Sequence, residues 1–107
     1  MTETSNLTAR EVYQLLKDVA LGVRAMGLLG QPFGTEPDTR LINIDVEGWQ
    51  LRLSCVNTRL ERCEHCRSPD ARFATLEHWQ RFGTNPVDFL SQWEHQQLDR
   101  LLGAFQG

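Results

Sequence analysis

The stretch "RLINIDVEGWQLRLSCV", residues 40–56, constrains the fold more than any other part of the chain. Apolar and polar residues alternate on both sides of Glu47-Gly48, as expected of two half-buried strands. A two-residue turn at this point needs a residue that tolerates positive φ, which Gly48 supplies. The stretch therefore predicts an antiparallel hairpin with its apolar residues on one face and Cys55 pointing toward the core. The predicted register pairs Val46 with Trp49, Ile44 with Leu51, Ile42 with Leu53 and Arg40 with Cys55.

A helical pattern precedes the hairpin. Thr8 and Glu11 form a capping-box pair, in which each side chain binds a backbone N–H at the start of a helix. The residues that follow place apolar side chains three and four positions apart, which predicts a helix with one buried stripe. Gly27 is its predicted stop. The stripe consists of Val12, Leu15, Leu16, Val19, Ala20 and Val23.

The end of the chain is helical again. "TLEHWQRFG" predicts a short helix from about 75 to 82, which Gly83 closes. Asn85 then caps a second helix, with Pro86 in its first position, and Gly103 ends it. The predicted apolar side of this last helix consists of Phe89, Leu90, Trp93, Leu98, Leu101 and Leu102.

Weaker strand patterns lie between the hairpin and these helices. Residues 58–63 and 71–75 are joined by Ser68-Pro69-Asp70, a sequence typical of a type I turn, so Cys63 and Cys66 would lie at the approach to a hairpin tip. The whole pattern predicts an α+β fold. It comprises an N-terminal helix, an antiparallel meander of three to four strands, and two C-terminal helices packed on one sheet face.

One long segment fits neither a helix nor a central strand. Residues 27–39 contain three glycines and two prolines, which break regular structure. Their apolar residues Leu28, Leu29 and Phe33 leave two interpretations open. The segment either packs over the edge of the core or binds a partner.

The composition is that of an ordinary globular protein. With 40% hydrophobic and 23% charged residues in 107 positions, the chain can bury a core. We predict a disordered tail over residues 1–6 and a single globular domain over 7–107. The net charge of −3 argues against nucleic-acid binding, which usually needs a basic excess. No apolar run approaches a membrane helix in length and the first residues show no signal-peptide pattern, so we expect a cytoplasmic protein.

Cys63-x-x-Cys66, within "CEHCRSPDAR", is the most pointed chemical feature. Two thiolates at this spacing around a turn can hold zinc if two further Cys or His ligands join them. A paired third strand would bring Cys55 beside Cys63, and His78 lies on the helix that follows. The predicted zinc site is therefore Cys55, Cys63, Cys66 and His78.

Two other interpretations of these cysteines are open. A redox pair needs a thiol with a lowered pKa, most often supplied by a helix that begins directly after the first cysteine, and Pro69 argues against a helix there. Alternatively, Cys55 is a small core residue and the CxxC is a reduced pair in a surface turn. An odd number of cysteines in a reducing compartment argues against a disulfide framework.

The remaining chemistry-bearing residues point to no catalytic site. The chain has no G-x-S-x-G elbow, no P-loop and no H-E-x-x-H motif. We interpret His95 as an exposed polar position. Trp49, Trp79 and Trp93 are interpreted as core residues, because rings of this size dominate a small core.

Four segments together resemble a family of short, uncharacterised bacterial proteins, a domain of unknown function. They are "LTAREVYQLLKDVALG", "VEGWQLRL", "CEHCRSPDAR" and "RFGTNPVDFLSQWEHQQLDRLL", and the resemblance spans about residues 7 to 102. Its most specific part is the CxxC followed by Ser-Pro-Asp, although Ala71 stands where the family would favour glycine. The resemblance implies a single domain and supplies no catalytic residues.

These observations favour a small non-enzymatic module that acts through protein–protein interaction, in regulation or in defence and counter-defence between bacteria and phages. Its partner would be another protein, and a homodimer is one form of such an interaction. Two alternatives are a zinc-stabilised domain of unknown role and a thiol oxidoreductase that uses the CxxC.

Overall fold

The computed structural model describes residues 7–31, 33–36, 38–57, 59–81 and 83–106. The predicted disordered tail, residues 1–6, lies outside this described part. The elements are α1 (Ala9–Ala20), β1 (Gly27–Leu28), β2 (Phe33–Glu36), β3 (Thr39–Val46), β4 (Trp49–Val56), β5 (Arg59–Arg67), β6 (Phe73–Thr75), α2 (Leu76–Gln80), a 3₁₀ turn (Pro86–Phe89) and α3 (Gln92–Gln106).

The sheet confirms the predicted α+β fold. Strands β3, β4, β5 and β6 form an antiparallel meander, and the short strands β1 and β2 both pair with the outer side of β3. The described part of 27–39 therefore extends the sheet at its edge, where glycine and proline are tolerated. Leu28 packs against the core, which confirms the packing interpretation for this residue.

The central hairpin has the predicted register at every position. β3 and β4 pair Val46 with Trp49 and continue without a shift to Arg40 opposite Cys55. The turn residues have positive φ, 52° at Glu47 and 97° at Gly48. The alternation places one apolar face of both strands in the core. The buried residues of this face are Ile42, Ile44, Val46, Leu51, Leu53 and Cys55.

The helices cover that apolar face. α1 contributes its predicted stripe up to Ala20, and α3 contributes Leu98 and Leu102. Trp79 of α2 is 2% exposed and its indole Nε1 donates a hydrogen bond to the Leu7 carbonyl at 3.0 Å. The start of α1 is thereby tied to α2.

The prediction that the first helix extends through Val23 is wrong. α1 ends at the cap after Ala20, because the backbone turns into the left-handed region at Gly22 (φ 78°). The N–H groups of Val23 and Arg24 then both donate to the Asp18 carbonyl, at 2.8 and 3.2 Å. Gly27 begins β1 and is not a helix stop.

The last predicted helix is two elements. Asn85 caps as expected, since its side chain accepts from the Val87 N–H at 3.3 Å, but it starts only a 3₁₀ turn. α3 begins separately with a reciprocal pair, in which Ser91 Oγ accepts from Glu94 N and Glu94 Oε1 accepts from Ser91 N. This second capping box was not predicted from the sequence. Gly103 lies inside α3 and does not end it.

Candidate functional site

The cysteine pair lies within a strand and not in a turn. Residues three apart in a regular strand point to opposite faces, yet Leu60, Cys63 and Cys66 are all buried. Two register shifts against β4 explain this, because β5 carries one extra residue at Glu61 and another at Glu64. Each extra residue rotates the strand so that the third residue returns to the core. The CxxC spacing therefore fits the packing of β5 against the core. The predicted placement at the approach to a hairpin tip is confirmed, because β5 runs directly into the turn that leads to its antiparallel partner β6. The interpretation of the CxxC as a pair in a surface turn is wrong, since both cysteines are buried within the strand.

Burial makes the three thiols poor nucleophiles. It raises the pKa of Cys55 from an ordinary 9.0 to about 12, with a smaller effect of the Asp99 charge. Burial likewise raises the pKa of Cys66 to about 12, with a contribution from Glu11. The pKa of Cys63 is also raised by burial. Since the thiolate is the reactive species, the geometry gives no support to a redox pair.

Of the four predicted zinc ligands, the three cysteines lie in the core, whereas His78 lines a pocket. Cys55 lies in β4 opposite Leu60, and all three cysteines belong to the core. His78 lies on α2 and lines a pocket at the start of α1. Among the described residues, which include all four, no group of three or more His, Cys, Asp or Glu side chains could hold a metal ion. The zinc site stays a prediction.

The turn after the cysteines is a closed hydrogen-bonded unit. The Ser68 N–H donates to the Arg72 carbonyl at 2.9 Å, and the Ala71 N–H donates to the Ser68 carbonyl at 3.0 Å. The buried Ser68 hydroxyl donates to the Asp70 carboxylate and accepts from the Arg72 N–H. Ala71 adopts a φ of 69°, the conformation that glycine accepts most readily.

Arg72 ties this turn to the first helix. Its Nη1 lies 2.8 Å from Glu11 Oε2, and its Nε lies 3.3 Å from Asp70 Oδ2. Burial alone would raise the pKa of Glu11, but the hydrogen bond from the Thr8 N–H and the Arg72 guanidinium hold this pKa below its ordinary value. The capping box and the β5–β6 turn thus form one polar clamp, defined here as Thr8, Glu11, Ser68, Asp70 and Arg72.

We expect the polar clamp to lose its stabilising effect in acid. A carboxyl whose pKa is lowered by folding stabilises the native state above its ordinary pKa, 4.5 for Glu11, and this stabilisation is lost as the pH falls through the lowered value. Glu11→Gln removes the titration. Urea unfolding at neutral and acidic pH should show a smaller acid-induced loss in this variant than in the wild type. Equal losses in both proteins would contradict the assignment.

The start of β5 is held by α3 in a way that the sequence analysis missed. The Leu60 N–H donates to Asp99 Oδ1 at 2.7 Å, and His95 Nε2 lies 2.6 Å from the Leu60 carbonyl. His95 is therefore half-buried against β5, and its interpretation as an exposed polar position is wrong. The spacing of His95 and Asp99, one helical turn apart, was the available signal.

A large apolar concavity lies between the end of α1 and α3. This α1–α3 groove has a volume of about 620 Å³. Trp93, predicted to be a core residue, lines it and is 53% exposed. Leu21 and Leu101 are also exposed there, whereas Trp79 is buried and Trp49 packs partly against the core. The groove is lined by Val19, Ala20, Leu21, Gly22, Arg24, Ala25, Met26, Trp93, Gln97, Leu101 and Ala104.

Charge is nearly absent from this groove. Among the described residues that line it, Arg24 is the one that carries a charge. Its guanidinium is engaged by Asp18 at 3.1 Å and by Glu47 at 3.2 Å. The groove therefore presents an apolar surface whose single cation is already paired.

Comparison with known proteins places the chain in a family but assigns no chemistry. No helix in the described part of the chain is long and apolar enough to cross a membrane. No curated protein and no solved structure matches the chain. A family profile described as a domain of unknown function matches residues 6–104, which is nearly the whole sequence. The chain belongs to this family, the domain of unknown function DUF7693.

Proposed function

We propose that the protein is a non-enzymatic module that binds another protein through the α1–α3 groove. The observation that carries the proposal is Trp93, a large ring that lines the groove and is 53% exposed. Tryptophan is the side chain most enriched among residues that dominate binding energy, because it buries a large area with few rotatable bonds. An exposed Trp at an apolar concavity is typical of a binding site.

The charge of the groove limits the kind of partner. Because Arg24 is already paired with Asp18 and Glu47, an acidic partner would gain little there. The groove suits an uncharged apolar surface, such as the apolar face of a helix from the partner.

The burial of the cysteines supports a non-enzymatic role. Their thiols are buried and unpaired by disulfides, and raised pKa values keep them protonated near neutral pH. Reduced thiols are typical of a cytoplasmic protein. We include in the proposal a cytoplasmic role in bacteria, in regulation or in phage defence and counter-defence, which identification of the partner would test.

Capture from a cell lysate with quantitative mass spectrometry tests the proposal. Immobilised wild-type protein is compared with Trp93→Glu, which places a charge at the groove. Phe73→Glu is the matched control, because Phe73 is an aromatic residue of β6 that is also exposed but lies outside the groove. We expect a partner that is retained by the control and lost by Trp93→Glu.

Two outcomes would count against this function. Equal capture by the wild type and Trp93→Glu would remove the groove as the binding site. Concentration-dependent dimerisation that Trp93→Glu abolishes, with no other protein captured, would assign the groove to a second copy of this chain. Circular dichroism of each variant confirms that the fold is retained.

A further inference from the structure

A separate, more enclosed pocket lies at the start of α1. It has a volume of about 350 Å³, near the lower end of the roughly 300–1,000 Å³ found for small-molecule sites. Leu7 and Trp79 are buried at this pocket, and Phe89 is 42% exposed. The pocket is lined by Leu7, Thr8, Ala9, Arg10, His78, Trp79, Thr84 and Phe89.

The residues that line this pocket are mainly apolar, and the charge that they carry is positive. Phe89 offers exposed hydrocarbon surface, Leu7 and Trp79 form a buried apolar wall, and no carboxylate is found among the described residues that line the pocket. The indole N–H of Trp79 is already donated to the Leu7 carbonyl, so this buried ring offers no free donor to the pocket. The side chains that can carry positive charge are Arg10 and His78.

Arg10 is the cation available to a ligand. Its guanidinium carbon lies 5.9 Å from the centre of the Phe89 ring, an arrangement that orients the cation over the aromatic face. Within the described part of the chain, no carboxylate lies at ion-pair distance from Arg10. The neighbouring Glu11 is instead engaged by Thr8 and Arg72. Among the described residues, the guanidinium contacts the Phe89 ring and is paired with no carboxylate, so its planar donor edges can meet the carboxylate of a ligand.

We propose that this pocket binds a small organic anion with an apolar body, such as an aromatic carboxylic acid. The apolar body would lie against the exposed part of Phe89, above the buried wall formed by Trp79, and the carboxylate would meet Arg10. The enclosed volume suits one ring with a short side chain. The proposal does not depend on the α1–α3 groove, because the two cavities share no lining residue.

A matched pair of probes separates the contribution of the anionic group to binding from that of the apolar body. 3-Phenylpropionate carries both, whereas 3-phenylpropionamide has the same shape without the charge. Backbone amide shifts of Ala9, Thr84 and Phe89 are followed by two-dimensional NMR during titration of the full chain. We expect saturable shifts at these residues and tighter binding of the acid than of the amide.

Single-residue variants then test which side chains contact each probe. Arg10→Gln should weaken binding of the acid by roughly fivefold to tenfold, the effect of losing a charge-assisted contact, and leave the amide unchanged. Phe89→Ala should weaken both probes. Arg67→Gln is the control, because Arg67 is an exposed arginine of β5 that does not line the pocket.

Three results would overturn the proposal. These are equal affinity for the acid and the amide, an absence of saturable shifts at the pocket residues up to millimolar probe, and an equal loss of acid binding in Arg10→Gln and Arg67→Gln. The dispersion of the free-protein spectrum shows that each variant is folded before titration.

Discussion

Trp79→Ala is expected to lower the free energy of unfolding by about 3–5 kcal/mol, the range for removing a fully buried aromatic side chain. Trp79 is among the largest fully buried side chains of the described residues, and a cavity in a close-packed core is filled only in part by relaxation. The substitution also removes the donor to the Leu7 carbonyl. Urea denaturation followed by far-ultraviolet circular dichroism measures the change.

Two further variants show how much of the stability loss comes from the buried ring volume and how much from the hydrogen bond. Trp79→Phe retains much of the ring but loses the indole N–H, so we expect a smaller loss, of about 1–3 kcal/mol. Trp93→Ala removes a tryptophan that is 53% exposed, and it should change stability by less than about 1 kcal/mol. A Trp79→Ala loss no larger than that of Trp93→Ala would contradict the placement of Trp79 in the core.

The native thiols are expected to react with an aromatic disulfide reagent at least about a thousandfold more slowly than the thiols of the unfolded chain. Burial raises the pKa of Cys55 and Cys66 to about 12 from 9.0, and each unit lowers the thiolate fraction about tenfold near neutral pH. Burial of the sulfur atoms slows attack further. The rate is measured by absorbance in buffer and in concentrated urea.

A metal chelator distinguishes core thiols from zinc ligands. Bound zinc would also protect the cysteines, but a chelator would then expose them and reduce thermal stability. Burial predicts that native rates are unchanged by chelator and that elemental analysis finds well under one zinc per chain. One zinc per chain, with thiols released by chelator, would favour the predicted quartet of Cys55, Cys63, Cys66 and His78.

The central hairpin was predictable to the residue because a two-residue turn and strict alternation leave one register. A slip of one position would turn every apolar side chain of both strands to the other face. Glu47-Gly48 fixed the turn, and Val46 opposite Trp49 followed from it. The first helix was similarly accessible from its capping box at Thr8 and Glu11.

Strand β5 could not be predicted in the same way. Its buried residues recur at every third position, at Leu60, Cys63 and Cys66, a period that belongs to neither a regular strand nor an α-helix. The bulges at Glu61 and Glu64 that produce this period arise from pairing with β4. A sequence-only interpretation therefore treated the CxxC as part of a turn, whereas both cysteines belong to the packing pattern of the folded strand.

The candidate binding surface was missed for a related reason. The apolar residues of the last helix were assigned to one buried side, but α3 has two apolar stripes. Leu98 and Leu102 lie in the core, whereas Trp93 and Leu101 line the α1–α3 groove. The early end of α1 at Gly22 creates the other wall, and no local pattern in the sequence predicts which stripe is left uncovered.

We propose that the cysteines stabilise the fold and that the α1–α3 groove binds the partner. The most direct test is the affinity of the captured partner, measured by calorimetry, for the wild type, Cys63→Ala and Trp93→Glu. We expect unchanged affinity in folded Cys63→Ala and loss of detectable binding in folded Trp93→Glu. Loss of binding in Cys63→Ala with full binding in Trp93→Glu would contradict it.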